Sequence, residues 1–315
     1  MLEINGIGKV YRVGVLGNTR VNAVREVSFA LGPGEVVSVI GESGSGKTTL
    51  GRMILRLTPA STGTITFAGK DIAALRGRAL KNYYREVQGV FQDPFSSYNP
   101  VFKADRVFAM IRAGYFPGLS GAAWRTRVTE ALAAVRLTPE AVLDKYPHQL
   151  SGGQLQRMLI ARALLLDIRV LVADEIISML DASTRIDVLN LLGDLKERGL
   201  AIVFITHDLA LGNYISDRTL ILRRGDVVEC GATGAVFGNP VHPYTRRLLS
   251  SVPRLHKKWG QVAAELTEPP GRCPVHANGS AAALVEVAPE HQVACLAAGA
   301  DQPCPDGVTA GHADR

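Results

Sequence analysis

Gly41-Glu42-Ser43-Gly44-Ser45-Gly46-Lys47-Thr48 fills every fixed position of the pattern G-x-x-x-x-G-K-[ST]. It follows Glu35-Val36-Val37-Ser38-Val39-Ile40, a short β-branched run that reads as a buried strand. It opens Gly46 to Leu57, whose composition is helical up to Thr58-Pro59. A triphosphate is dense in negative charge, and this stretch supplies what such a group needs. Glycines let the backbone wrap closely, so that successive N–H groups turn inward as an anion nest. The helix starting near Gly46 adds the positive end of its dipole. Lys47 is expected to reach the β- and γ-phosphates, and Thr48 to offer its hydroxyl to Mg²⁺, with Thr49 continuing the nucleotide-contacting run. An ordinary glycine-rich turn would not need both the strand before and the helix after.

Val170-Leu171-Val172-Ala173-Asp174-Glu175 supplies the second half. An apolar strand carries two adjacent acids to its carboxyl end, where open α/β sheets place ligands. Asp174 is expected to hold Mg²⁺ through the ion's water shell. Glu175 is expected to polarise the attacking water as general base. A strand ending in two acids is a weak signal alone; beside the glycine-rich loop it is a strong one. Together they describe a P-loop NTPase.

The first 230 or so residues alternate strand-like and helix-like segments, the pattern of an α/β domain. Arg169–Ala173 and Ala201–Ile205 read as further buried strands, and Ile186, Leu189, Leu192 and Leu195 between them mark a helix face. About 93–160 reads as a mostly helical insertion, with Ser120 capping a helix whose Trp124, Val128, Leu132 and Val135 form a core stripe. Gly231, Gly234, Gly238, Asn239 and Pro240 predict loops, followed by a short helix after Pro243. The expected organisation is therefore a domain over 1–238 and an extension over 239–315, ending in a poorly ordered tail.

The chain has 315 residues and a net charge of +6, from 35 basic and 29 acidic side chains. Its basic residues stand singly or in pairs such as Arg223-Arg224 and Lys257-Lys258, without an aromatic-interleaved stripe, so no nucleic-acid partner is expected. Mean hydropathy is +0.12. No stretch approaches about eighteen uncharged apolar residues, and Met1-Leu2-Glu3-Ile4 opens no signal-peptide pattern. Cys230, Cys273, Cys295 and Cys304 fit no zinc spacing.

Leu150-Ser151-Gly152-Gly153-Gln154, about twenty residues before the two acids, resembles the signature of the ABC ATPases. The resemblance implies that Ser151, Gly152, Gly153 and Gln154, with a helix N-terminus behind them, present donors to the γ-phosphate bound by an opposite subunit. It further implies that Gln92 is the Q-loop glutamine sensing Mg²⁺ and water, and His207 the switch histidine at the γ-phosphate. By the same likeness Asp181 is the D-loop aspartate, and Tyr11 the aromatic that stacks on adenine.

The likeness extends to one branch. Asp93-Pro94-Phe95-Ser96-Ser97-Tyr98-Asn99-Pro100 and Asn239-Pro240-Val241-His242-Pro243-Tyr244-Thr245 resemble the dipeptide, oligopeptide and nickel importer ATPases. That branch implies ATP and Mg²⁺ as ligands and a second, different ATPase chain. It also implies two membrane permease subunits, a solute-binding protein, and a peripheral place on the cytoplasmic face of the membrane. Peptides are the solute class expected, with oligosaccharides or nickel as alternatives and a soluble, non-transport ABC ATPase as the contrasting class. Two departures stand out. Ile176-Ile177 follow Glu175 where the branch usually has proline. Of the four tail cysteines that hold an iron–sulfur cluster in many relatives, Cys273 and Cys295 alone align, so no cluster is expected.

Overall fold

The computed structural model describes residues 1–13, 19–250 and 284–294. Cys273, Cys295, Cys304 and the expected tail lie outside them. The chain runs through β1 (Leu2–Val13), β2 (Thr19–Leu31), β3 (Val36–Ile40), α1 (Lys47–Ile54), β4 (Thr62–Phe67) and β5 (Lys70–Asp71). It continues through α2 (Gly77–Glu86), β6 (Val87–Val90), α3 (Arg106–Tyr115), α4 (Gly121–Ala134), α5 (Pro139–Val142) and α6 (Gly152–Leu164). Next come β7 (Val170–Asp174), α7 (Ala182–Glu197), β8 (Ala201–Thr206), α8 (Leu209–Ile215), β9 (Arg218–Arg223) and β10 (Asp226–Ala232). The described chain closes with α9 (Thr233–Gly238), α10 (Pro243–Ser250), β11 (Leu284–Ala288) and β12 (His291–Ala294). These elements form an α/β protein whose chain divides into two compact units.

The first unit takes in Met1–Leu31, Val36–Ala73 and the chain from Phe204 onward. It holds an antiparallel sheet of order β2-β1-β4-β5. It also holds a mixed sheet in which β3 pairs parallel with β9, and β9, β10, β12 and β11 pair antiparallel in turn. β3 is wholly buried, which is why it reads as an unbroken apolar run rather than an alternating one. Its single hydroxyl, Ser38, is matched by Thr219 of β9 at 2.9 Å, and Thr219 in turn by Thr233 at 2.9 Å, so no buried oxygen of this trio is wasted. α1 stops at Ile54 rather than Leu57: Arg56 turns left-handed at φ 53°, and the Leu57 N–H doubles back to the Arg52 carbonyl at 2.8 Å.

The glycines after 230 behave differently from expectation. Gly231 is the last residue but one of β10, and Gly234 and Gly238 lie within α9, so the glycines belong to a strand end and a short helix, while Asn239 and Pro240 form the expected loop before α10. A Cβ on Gly231 would stand 2.1 Å from the Glu290 carbonyl oxygen, so the glycine serves close approach of the β11–β12 hairpin instead of a turn. α10 begins at Pro243, as its sequence predicts.

The second unit, Gly32–Glu35 with Ala74–Val203, pairs β6 and β7 in parallel and carries the helical segment. Ser120 accepts the Ala123 N–H at 3.2 Å, and Trp124, Val128, Leu132 and Val135 are buried, as expected. On α7 the buried face is Val188, Leu189, Leu191, Leu192 and Leu195, while Ile186 is 47% exposed. Ile186 lies about 200° of helical turn before Val188, which takes it off the core face. Among the described residues no helix is long and apolar enough to cross a membrane.

Candidate functional site

In the first unit, β3 releases the chain at Ile40 into the glycine-rich loop, and α1 takes it up at Lys47. Glu42, Ser43 and Gly44 are exposed at the tip, whereas Gly41, Ser45 and Lys47 are buried at its base. Two positions admit only glycine. A Cβ on Gly41 would sit 2.1 Å from the Leu222 carbonyl oxygen, and one on Gly46, at φ +106°, 2.2 Å from that of Ala23. The backbone is thus pressed between β2 and the end of β9. The turn after β9 closes the frame: Gly225 N–H donates to the Ser45 carbonyl at 3.0 Å, and Arg25 N–H to the Gly225 carbonyl at 2.8 Å. Arg25 and Asp226 pair at 2.9 Å alongside.

The loop fits a polyanion. The Lys47 ammonium, 4% exposed, donates to the Gly41 and Glu42 carbonyls at 2.7 and 2.9 Å, which holds a positive charge inside the loop's curve. The Ser45 hydroxyl is buried without a hydrogen-bond partner among the described residues, an acceptor and donor left over by the protein itself. Around a Cβ built on Gly44 lies open space. Gly46→Ala is expected to lower the melting temperature by roughly 3–10 °C and to remove nucleotide binding, because the added methyl meets backbone and the φ is left-handed. A thermal melt unchanged from wild type would contradict that reading of the loop.

Elsewhere in this unit, Tyr11 sits on β1 opposite Val21, with the Lys9 ammonium 5.2 Å from its ring centroid. His207 is exposed directly after β8, and the next residue, Asp208, caps α8 by accepting the Ala210 and Leu211 N–H groups at 2.9 and 3.3 Å.

In the second unit, β7 ends on buried Asp174, and Glu175 follows in a left-handed conformation at φ 51°. A non-glycine residue there carries a strain of about 1–3 kcal/mol, and such strain collects at functional positions. The Ser178 N–H and hydroxyl both donate to the Glu175 carbonyl, at 3.1 and 2.9 Å, while Ile176 and Ile177 are buried. The isoleucines therefore anchor this turn by packing.

Ser151 caps α6 through a reciprocal pair: its hydroxyl accepts the Gln154 N–H at 3.2 Å and its N–H donates to the Gln154 side chain at 2.9 Å. Gly153 faces α7, where a Cβ would come within 2.7 Å of Thr184. Asp181 caps α7, accepting from Ser183, from Thr184 N–H and from the Thr184 hydroxyl at 2.6, 3.0 and 2.8 Å. Those bonds, the Ser183 one foremost, hold its carboxyl well below the usual carboxylate range. Gln92 is exposed just beyond β6. The neighbouring Phe91 carbonyl accepts from fully buried Gln156 of α6 at 3.3 Å, and the Tyr98 hydroxyl donates to the Leu155 carbonyl at 3.1 Å. Gln92, the Ser151 helix and Asp181 are thus braced within one unit. The sequence reading missed Tyr244, whose hydroxyl meets the Glu42 N–H at 3.1 Å.

A family model described as ABC transporter matches residues 24–178, and one described as the oligopeptide/dipeptide transporter C-terminal region matches 228–279. A Brucella ovis protein named as a peptide import ATP-binding protein is 38% identical over 314 residues, spanning 94% of this chain and 97% of that protein. The Escherichia coli glutathione import ATP-binding protein GsiA is 43% identical over 280 residues, covering 87% of this chain and 44% of GsiA. Among solved structures, an ATP-binding cassette captured as a dimer in a post-hydrolysis state with ADP and Pi superposes with a TM-score of 0.66 at 29% identity, over 74% of this chain and 99% of that one.

Proposed function

The chain belongs to the ABC transporter family of ATP-binding subunits, and from that premise we propose that it is the ATPase motor of an importer for peptides or similarly sized solutes. The observation that carries the proposal is one chain joining a polyanion-fitted loop to a C-terminal region of the oligopeptide/dipeptide type. The names of the peptide and glutathione import relatives support the solute class.

In this reading Lys47 and the N–H groups of residues 43–48 bind the β- and γ-phosphates, and Tyr11 stacks on the adenine. Thr48 and Gln92, with Asp174 through water, would hold Mg²⁺, which when bound neutralises charge on the β- and γ-phosphate oxygens. Glu175 takes a proton from water as the water oxygen bonds to the γ-phosphorus. The bond from that phosphorus to the bridging oxygen breaks, and ADP and inorganic phosphate result. His207 donates to the γ-phosphate oxygens as charge builds on them. Ser151 and Gly153 of one subunit complete the site of another, so two ATPase chains close head to tail over two nucleotides; that the similar solved cassette is a dimer supports the pairing of two such chains. The resemblance of residues 93–100 and 239–245 to the importer branch supports a second ATPase chain different from this one.

Closure must be transmitted to a membrane protein. Phe95, Val101 and Met110, beyond Gln92, are 50, 73 and 64% exposed, apolar side chains that we assign to contact with a permease on the cytoplasmic face of the membrane. The test is uptake of a labelled tripeptide by the complete complex in proteoliposomes, with its solute-binding protein. ATP-dependent accumulation is expected. ATPase stimulation by nickel or an oligosaccharide, with none by peptides, would overturn the solute assignment and leave the ATPase intact.

A further inference from the structure

The Gly41–Glu42 peptide, where the chain enters the nucleotide loop, is gripped at both ends. Its carbonyl accepts from the Lys47 ammonium at 2.7 Å, and its N–H donates to the Tyr244 hydroxyl at 3.1 Å. Rotating that peptide would break both bonds together. Gly41 leaves little slack, since Leu222 backbone lies where its Cβ would be. The resting place of the Lys47 ammonium is therefore linked to a tyrosine that stands 202 residues beyond Glu42 in the chain.

We propose that Tyr244 is a positioning residue of the nucleotide site, which orients the Gly41–Glu42 peptide and through it the Lys47 ammonium for the triphosphate. Tyr244 is itself firmly held. It is 2% exposed and packs among Ile40, Leu209, Ile221, Val228, Val236 and Ala294, joining the residue before the loop to the helix after His207. The Arg223 guanidinium lies 5.4 Å from its ring centroid. Its N–H donates to His242 Nδ1 at 3.0 Å. Burial, with Arg223 adding, pushes His242 down to about 4, so the ring is neutral and that nitrogen free to accept. The turn before Tyr244 hangs on Glu229, fully buried, which accepts from Val241 N–H, His242 N–H and the His291 ring at 2.8, 3.0 and 2.7 Å. A continuous chain of contacts thus runs from the β11–β12 hairpin to the loop, all inside the first unit.

This inference rests on the loop being the ATP site, so its test carries a control for that reading. Tyr244→Phe keeps the ring and its packing and removes only the acceptor. In the full-length chain, displacement of a fluorescent ATP analogue by ATP should show affinity reduced about three- to tenfold, the scale of one hydrogen bond. In the assembled complex KM for ATP should rise by the same factor with kcat within about twofold, and the melting temperature should stay within a few degrees. Lys47→Ala is measured in parallel. If Lys47→Ala loses ATP while Tyr244→Phe binds and turns over as wild type, the positioning role is wrong and the site reading stands. If Tyr244→Phe lowers stability and kcat without changing KM, the tyrosine is structural and the proposal fails. If Lys47→Ala still binds ATP normally, the site reading falls and this inference with it.

Discussion

Glu175→Gln is expected to lower ATP turnover by the assembled transporter about 10²- to 10⁴-fold while ATP affinity stays within about threefold of wild type. The amide keeps the shape of the carboxylate but cannot take the proton that water must lose as its oxygen bonds to phosphorus. The substitution should act locally. Backbone geometry at this position is set by the two Ser178 bonds to the Glu175 carbonyl and by buried Ile176 and Ile177, none of which uses the carboxylate. The replacement of the usual proline by isoleucine is therefore compatible with a working base, since packing anchors the turn. ATP should also hold the two cassettes closed for longer, visible as an ATP-dependent dimer by light scattering. Phosphate release within threefold of wild type would remove Glu175 from the role of base.

The parts of the site that could be read without a structure are those whose physics is local. A glycine-rich loop between an apolar run and a helix, and acids at the end of a second apolar run, are set by residues within a few positions of one another, and β3, α1 and β7 stand where those runs lie. The Ser120 cap and its stripe were legible for the same reason. What escaped depends on distant chain. Gly231 looks like a turn residue until Glu290 is seen pressed against it. Ile186 shares the leucine spacing of α7 but lies to one side of its buried face. The His242-Pro243-Tyr244 stretch stood out as a resemblance, yet its contact with Glu42 follows from tertiary packing that no local pattern encodes.

Lys47 and Ser151 divide the remaining labour, and separating them tests the motor account at its centre. Lys47→Ala removes the buried ammonium together with its bonds to the Gly41 and Glu42 carbonyls. Loss of a charge-assisted contact to the triphosphate should weaken ATP binding by the isolated chain about 10- to 150-fold. Ser151→Arg removes an N-cap, at a cost of about 1 kcal/mol in stability, from an exposed position in the second unit. Because the signature is assigned to the partner's nucleotide, the isolated Ser151→Arg chain should keep its own ATP. In the complex, a bulky cation beside the γ-phosphate in place of a small donor should prevent closure and abolish most turnover. The decisive measurement is ATP affinity of the isolated Ser151→Arg chain set against ATPase activity of the same variant in the transporter. Affinity within about twofold of wild type with turnover reduced at least about a hundredfold is the predicted pair. A folded Ser151→Arg chain that has lost its ATP would mean the signature acts within its own subunit, and the head-to-tail motor would be wrong for this protein.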